Sequence, residues 1–178
     1  MDHDAYLTGI AELYAAEVLG EGLASRWLEL SSEPDQKYKL GLFLQLESEA
    51  KVRLRPLLAR YGLNLVEQQS QRSAGAAVAE KFASMSWKAA LADLAVLAAP
   101  FRDRFQALLN VAPPEDVPWV SFMVNHEAAV PWVSFMVNHE AAVVRIAQCE
   151  AEGCGSMEHD LLPMLLYPMA RPSQRGGG

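Results

Sequence analysis

An all-α protein is predicted by three observations. Apolar residues recur at helical spacing over almost the whole chain, no stretch alternates apolar and polar residues between hairpin turns, and proline, glycine and serine fall between the periodic stretches. The first helix is expected from Asp4 to Leu30, with Ile10, Leu13, Ala24 and Leu28 on one stripe and Ser31, Ser32 and Pro34 as its stop. The second is expected from Pro34 to Tyr61, with Leu40, Phe43, Ala50, Leu54, Leu57 and Leu58 aligned and Gly62 as the C-terminal cap. After a polar link over Gln68 to Gly75, a third helix carries Trp87, Leu91, Leu94 and Ala98 to about Ala99. Pro100 is expected to kink it or to separate a further stretch, Phe101 to Asn110. Pro113 and Pro114 make the next connection, and Asp116 is placed to cap a fourth helical region that reaches Cys149. A short helix is expected after Ser156, ending near Pro163. Four long amphipathic helices imply a bundle, because each can cover its apolar stripe only against the others.

Residues Val117 to Val130 read VPWVSFMVNHEAAV and residues Val130 to Val143 read the same again, an identical tandem copy of a 13-residue unit. Repeat architectures need at least three longer units, so the copy reads as a recent duplication, a deliberate insertion or an error within a fold of about 165 residues. Thirteen helical residues advance the chain by roughly 20 Å and rotate it about 220° beyond full turns, so both copies cannot present one face to one core. With Pro118 and Pro131 inside the unit, a break is expected near Val130, and Pro131 is expected in the first turn of the following helix. The second copy is favoured for the original helix position. Trp119, Phe122 and Met123, repeated as Trp132, Phe135 and Met136, read as core or interface packing; an expelled copy would favour a partner surface or a homodimer, with helix exchange as one route.

Composition narrows the class. With 51% hydrophobic and 21% charged residues, the chain has material for one core, read as a single domain over 1–170 with a disordered tail over 171–178. A net charge of −7 without a basic run argues against nucleic acid or an anionic membrane as main partner. The start lacks the pattern of a secretion signal, and a cytoplasmic location is expected. Cys149 and Cys154 read as free thiols rather than a disulfide or metal pair. A phosphate loop, a nucleophile elbow and a Cys-pair zinc pattern are all missing, so no catalytic residue is assigned.

The informative residues are acids on apolar stripes: Glu17 on the Ile10, Leu13, Ala24 line, Glu47 on the Leu40, Phe43, Ala50 line, and Glu140 with Val133, Met136, Val143 and Ala147. A carboxylate in a bundle core is costly unless paired, hydrogen-bonded, protonated or metal-bound. Glu80, two turns before Trp87, is a weaker fourth member. The competing reading is surface ion pairing, since Glu47 lies four residues before Lys51 and Glu49 four before Arg53. His139 aligns with Phe135, Ala142 and Ile146 and reads as a hydrogen-bonded core histidine; His126 and Glu127 are its counterparts in the first copy, and His3 and His159 are expected to face solvent.

YAAEVLGEGL (Tyr14 to Leu23), LQLESEAKVRLRPLL (Leu44 to Leu58) and MVNHEAAVVRIAQCE (Met136 to Glu150) together resemble a bacterial ferritin-like protein of the rubrerythrin-type superfamily. The resemblance implies a four-helix bundle, with two metal ions at mid-height held by one Glu from each of two helices and a Glu-x-x-His from each of the others. By position, Glu17, Glu47 and Glu140 match three of these glutamates and Glu80 the fourth. Ala50 and Val143 stand where both histidines belong, which removes the nitrogen ligands of a two-metal site. The expected function is therefore non-catalytic binding of a small ligand or partner without a cofactor. The alternative is a carboxylate-held iron or manganese ion at Glu17, Glu47 and Glu140, with redox or oxygen chemistry.

Overall fold

The computed structural model describes residues 3–117, 135–154 and 157–171, with side chains from Val143 onward in the second segment. Among these residues the chain is all-helical: α1 His3–Leu30, α2 Pro34–Arg60, α3 Gln69–Ala83, α4 Trp87–Leu109, α5 Phe135–Glu152 and the short α6 Met157–Leu161, followed by a 3₁₀ turn at Leu162–Met164. No described helix is long and apolar enough to cross a membrane.

The chain ends α1 at Leu30 and starts α2 at Pro34, whose missing N–H costs nothing in a first helical turn. At the other end of α2, Gly62 takes a left-handed φ of 63°. Gly62 N–H donates to the Ala59 carbonyl at 3.1 Å and Leu63 N–H to the Leu58 carbonyl at 2.9 Å, the paired bonds that satisfy the last orphan carbonyls of a helix.

The third expected helix is instead two helices. The chain leaves helical geometry at Ser84 to Ser86, where the Ser86 hydroxyl accepts from Ala89 N–H at 3.3 Å and caps α4. Pro100 does not end α4, which runs on to Leu109. The ring sits on the exposed face, and Val96, whose carbonyl loses its partner, is 75% exposed, so water can satisfy that oxygen. Pro56 in α2 is accommodated in the same way opposite exposed Val52. Gly75 belongs to α3 rather than to the preceding link.

Helix α1 is central, packing on α2 and α3 and, less extensively, on α4, while α4 packs along α5. This explains why α1 buries Tyr6, Ile10, Leu13, Val18, Leu23 and Trp27 over a wide arc instead of one stripe. Two glycines set the α1–α3 crossing. A Cβ on Gly75 would lie 2.7 Å from Leu23 N and closer still to the Leu19 carbonyl oxygen, and one on Gly22 would overlap the Arg72 carbonyl. At the same end of the core, Trp27 stacks against Phe82 and Trp87, each with ring centroids 5.1 Å apart. The stripe residues of α2 are all buried, and Leu91, Leu94 and Ala98 of α4 and Val143, Ile146 and Ala147 of α5 close the interior. Each large aliphatic side chain so buried contributes about 1.5–3 kcal/mol.

The C-terminal segment lies on α2: Tyr38 hydroxyl donates to the Met169 carbonyl at 3.2 Å, and Leu166 N–H to Glu49 at 2.9 Å. Arg171, placed by the sequence reading at the head of a disordered tail, is ion-paired with Asp35 and with Glu158 at 3.3 Å. The break expected near Val130, the role of Pro131, the first copy beyond Val117 with Trp119, Phe122, Met123, His126 and Glu127, and residues 172–178 lie outside the described residues.

Candidate functional site

Glu17 and Glu47 are both buried, at 0% and 4% exposure, as their stripe positions imply. The Glu47 carboxylate lies on α1 against Gly20, where an added Cβ would stand 2.6 Å from Glu47 Cδ. Gly20 is one helical turn beyond Glu17 and shares its face. Thus Gly20 makes room on α1 for the acid of α2. A cavity of about 40 Å³ adjoins Glu47 and Gly20, bounded by Phe43, Leu94, Phe101 and Val143, so α1, α2, α4 and α5 all contribute to it.

Of the other sequence-derived positions, Glu80 lies apart. Glu80 is exposed on α3 and pairs with Arg26 at 3.2 Å. The break at Ser84 to Ser86 ends the register on which its alignment with Trp87 depended. Glu140 and His139 lie within α5, but their side chains are outside the described residues. His3 and His159 are exposed as expected, and His3 sits edge-on to Tyr61 with centroids 5.9 Å apart.

The donor set does not fit the two-metal centre that the resemblance implies. Ala50 and Val143, at the two histidine positions, are buried in apolar packing. Among the described residues no group of three His, Cys, Asp or Glu side chains is arranged to hold a metal ion.

Three charged clusters escaped the sequence reading. Lys51 is not at the surface: it is 4% exposed, and its ammonium reaches Glu21 at 2.7 Å and also Glu67. Arg72 bonds the same two carboxylates, meeting Glu67 at 2.7 Å, and Ser48 hydroxyl donates to Glu21 at 2.6 Å. Burial opposes ionisation of Glu21, but the Lys51 and Ser48 hydrogen bonds and the Lys51 and Arg72 charges outweigh it and hold the carboxyl below its usual range. Glu67 is lowered by its hydrogen bonds from Lys51 and Arg72. The cluster ties α1, α2, the following loop and α3 together.

Asp116, 0% exposed, accepts hydrogen bonds from Tyr6 at 2.9 Å, from Arg60 at 2.8 Å and from Tyr61. The bond to Asp116, then burial, pushes the Tyr61 phenol up to about 12. Burial and then the same carboxylate push Tyr6 higher still. This carboxylate fixes the chain against α1 and α2 where the duplicated region begins; beyond Val117, the first turn of the helix it was expected to cap lies outside the described residues.

At the opposite end, Glu150 accepts from Lys39, from Met157 N–H at 3.0 Å and from Trp87 Nε1 at 3.5 Å. Burial would raise its pKa, but the Lys39 and Met157 hydrogen bonds prevail and lower it. The pair expected between Glu49 and Arg53 is present at 3.3 Å, though both side chains are largely covered. Only same-helix pairs of this kind can be read from spacing; the partners of Lys51, Asp116 and Glu150 come from remote segments.

No protein-family model, curated protein or solved structure matches the chain.

Proposed function

We propose that this chain is a ferritin-like four-helix bundle that binds a partner without catalysis, its two-metal chemistry lost. The observation that carries this reading is the interior itself. Apolar Ala50 and Val143 fill the histidine positions, and the cavity beside Glu47 is about 40 Å³, against roughly 300–1,000 Å³ for sites that enclose organic ligands. Such a space takes a water or a lone ion. Small-ligand binding in that cavity is thereby disfavoured, and a second copy of the chain or another protein on an outer face is the preferred occupant.

A second reading has one observation in its favour: Glu17 and Glu47 are both buried, and Glu47 lines an ion-sized space against α1, the helix that carries Glu17. In it, both carboxylates, with Glu140 as the third, hold one iron or manganese ion. Elemental analysis of protein purified from metal-supplemented culture separates the two. Stoichiometric iron or manganese that falls on Glu47→Ala defeats the first reading; absence of metal, with unchanged folding of that variant, defeats the second. For self-association, light scattering should find a dimer in the 178-residue chain; identical oligomeric state after removal of one 13-residue copy denies the repeat any part in it.

A further inference from the structure

Helix α5 ends in a motif that brings two thiols together. Gly153 adopts a left-handed φ of 73°, and Cys154 N–H donates back to the Cys149 carbonyl at 3.0 Å. In this C-terminal motif the side chains flanking that bond commonly meet as an apolar contact; here both are cysteine. Cys154 is exposed and Cys149 half-buried, so a small oxidant can reach the pair. A disulfide needs Cα atoms about 4.4–6.8 Å apart, a span compatible with residues joined by a direct backbone hydrogen bond.

We propose that Cys149 and Cys154 form a reversible intramolecular disulfide, a modification site that reacts preferentially with neutral or cationic small-molecule disulfides. The Cys154 thiolate attacks a sulfur of the oxidant, releasing one small thiol and leaving a mixed disulfide. The Cys149 thiolate then attacks the Cys154 sulfur and displaces the second small thiol. Two protein S–H bonds are exchanged for one S–S bond, and the two electrons and two protons leave on the reduced oxidant. Hydrogen bonding to Cys154, then burial and the charges of Cys154, Asp160 and Glu152, raise the Cys149 thiol above its usual value. The Glu152 and Asp160 carboxylates also repel an anionic disulfide, although Arg145, 3.9 Å from Asp160, offsets part of that field. Glu150, next to Cys149, holds Met157 N–H, so the cross-link tightens the turn from α5 into α6. The inference stands apart from the partner and metal readings.

The test uses the reduced full chain with cystamine, hydroxyethyl disulfide or oxidised glutathione at about 1 mM, near the effective concentration that even a short flexible tether provides. The expected product has lost two hydrogens in mass, resists alkylation at both cysteines and returns to the dithiol with dithiothreitol. Cys149→Ser should stop at the mixed disulfide on Cys154. Relative to rates with uncharged 2-mercaptoethanol, cystamine should react about fivefold faster than oxidised glutathione, the effect of roughly one net charge contact left after the Arg145 offset. Hydrogen exchange at the Met157 amide should slow in the oxidised chain. A persistent mixed disulfide on the unmutated chain with Cys149 still alkylatable, or only intermolecular dimers, overturns the proposal; equal corrected rates overturn the oxidant preference, and unchanged Met157 exchange overturns the link to Glu150.

Discussion

Replacing Gly75 by alanine should destabilise the protein, although propensity alone argues the reverse. In a helix interior alanine is favoured over glycine by about 1 kcal/mol. Against this, the new methyl would stand 2.7 Å from Leu23 N, about 0.7 Å inside the 3.4 Å at which ordinary contact begins, and would overlap the Leu19 carbonyl oxygen more deeply. Leu19 C=O and Leu23 N–H are one rung of the α1 ladder, so neither atom can rotate away. The crossing must open, and a gap of 0.5–1 Å forfeits roughly a quarter to a half of each dispersion contact along it. Overpacking costs about 1–3 kcal/mol; with rigid backbone on both sides the upper figure applies, and subtracting the propensity gain leaves a loss of about 2 kcal/mol.

Urea unfolding followed by tryptophan fluorescence and helical circular dichroism should lower the midpoint for Gly75→Ala, and Tm should fall by about 4–8 °C, given 2–4 °C per kcal/mol at this size. Gly41→Ala is the control. Its Cβ would meet only the Met169 terminal methyl, at 2.7 Å, which can swing aside, so that variant should equal or exceed the parent stability. A Gly75→Ala protein as stable as the parent would refute the tight α1–α3 crossing.

Gly20→Ala should also destabilise, because the methyl overlaps the Glu47 carboxylate; in a Glu47→Ala background the same change should be neutral or stabilising by up to about 1 kcal/mol in the urea midpoint. Lys51→Ala should cost about 3 kcal/mol by the same assay, since Glu21 and Glu67 lose a buried cation. Raised tyrosine pKa values mean that the unfolded chain ionises first: the stability from Tyr61 is complete below about pH 10 and is lost as pH rises to about 12, and Tyr6 acts in the same direction. Phenolate absorbance should accordingly show these two groups titrating late, and Asp116→Asn should bring Tyr61 back toward 10. Glu21, Glu67 and Glu150 are lowered, so their contribution is complete above about pH 4.5 and is lost on acidification through the folded values. Glu150→Gln should flatten the fall of Tm with acid.

The helix stripes were legible because one period covers α1, α2 and α5, and Gly62 stood where a left-handed cap is needed. The break at Ser84 to Ser86 was hidden by an apolar alignment that runs through it by coincidence, while Pro100, the louder signal, fell on a solvent face where its missing bond matters little. Gly75 read as a linker residue because spacing reports absence of a side chain, not the helix pressed against it. Lys51 illustrates the limit for charges. Its nearest acid on the helix was Glu47, but the loop after α2 folds Glu67 over it and α1 brings Glu21, partners 16 and 30 residues away.

The same distinction bears on what the interior can do. Periodicity was sufficient to turn Glu17 and Glu47 inward, and an inward acid invites a metal reading. Glu47, however, meets a glycine on α1 that leaves room for it, and Ala50 and Val143 are buried apolar residues. The surrounding charges are already matched: Lys51 and Arg72 to Glu21 and Glu67, Arg60 to Asp116, and Lys39 to Glu150. Those pairs tie α1, α2, α3 and α5 to one another and to the segments that follow α2 and α4. The cavity beside Glu47 is too small for an organic ligand, and that is why the partner-binding reading is preferred over a reaction enclosed at that point.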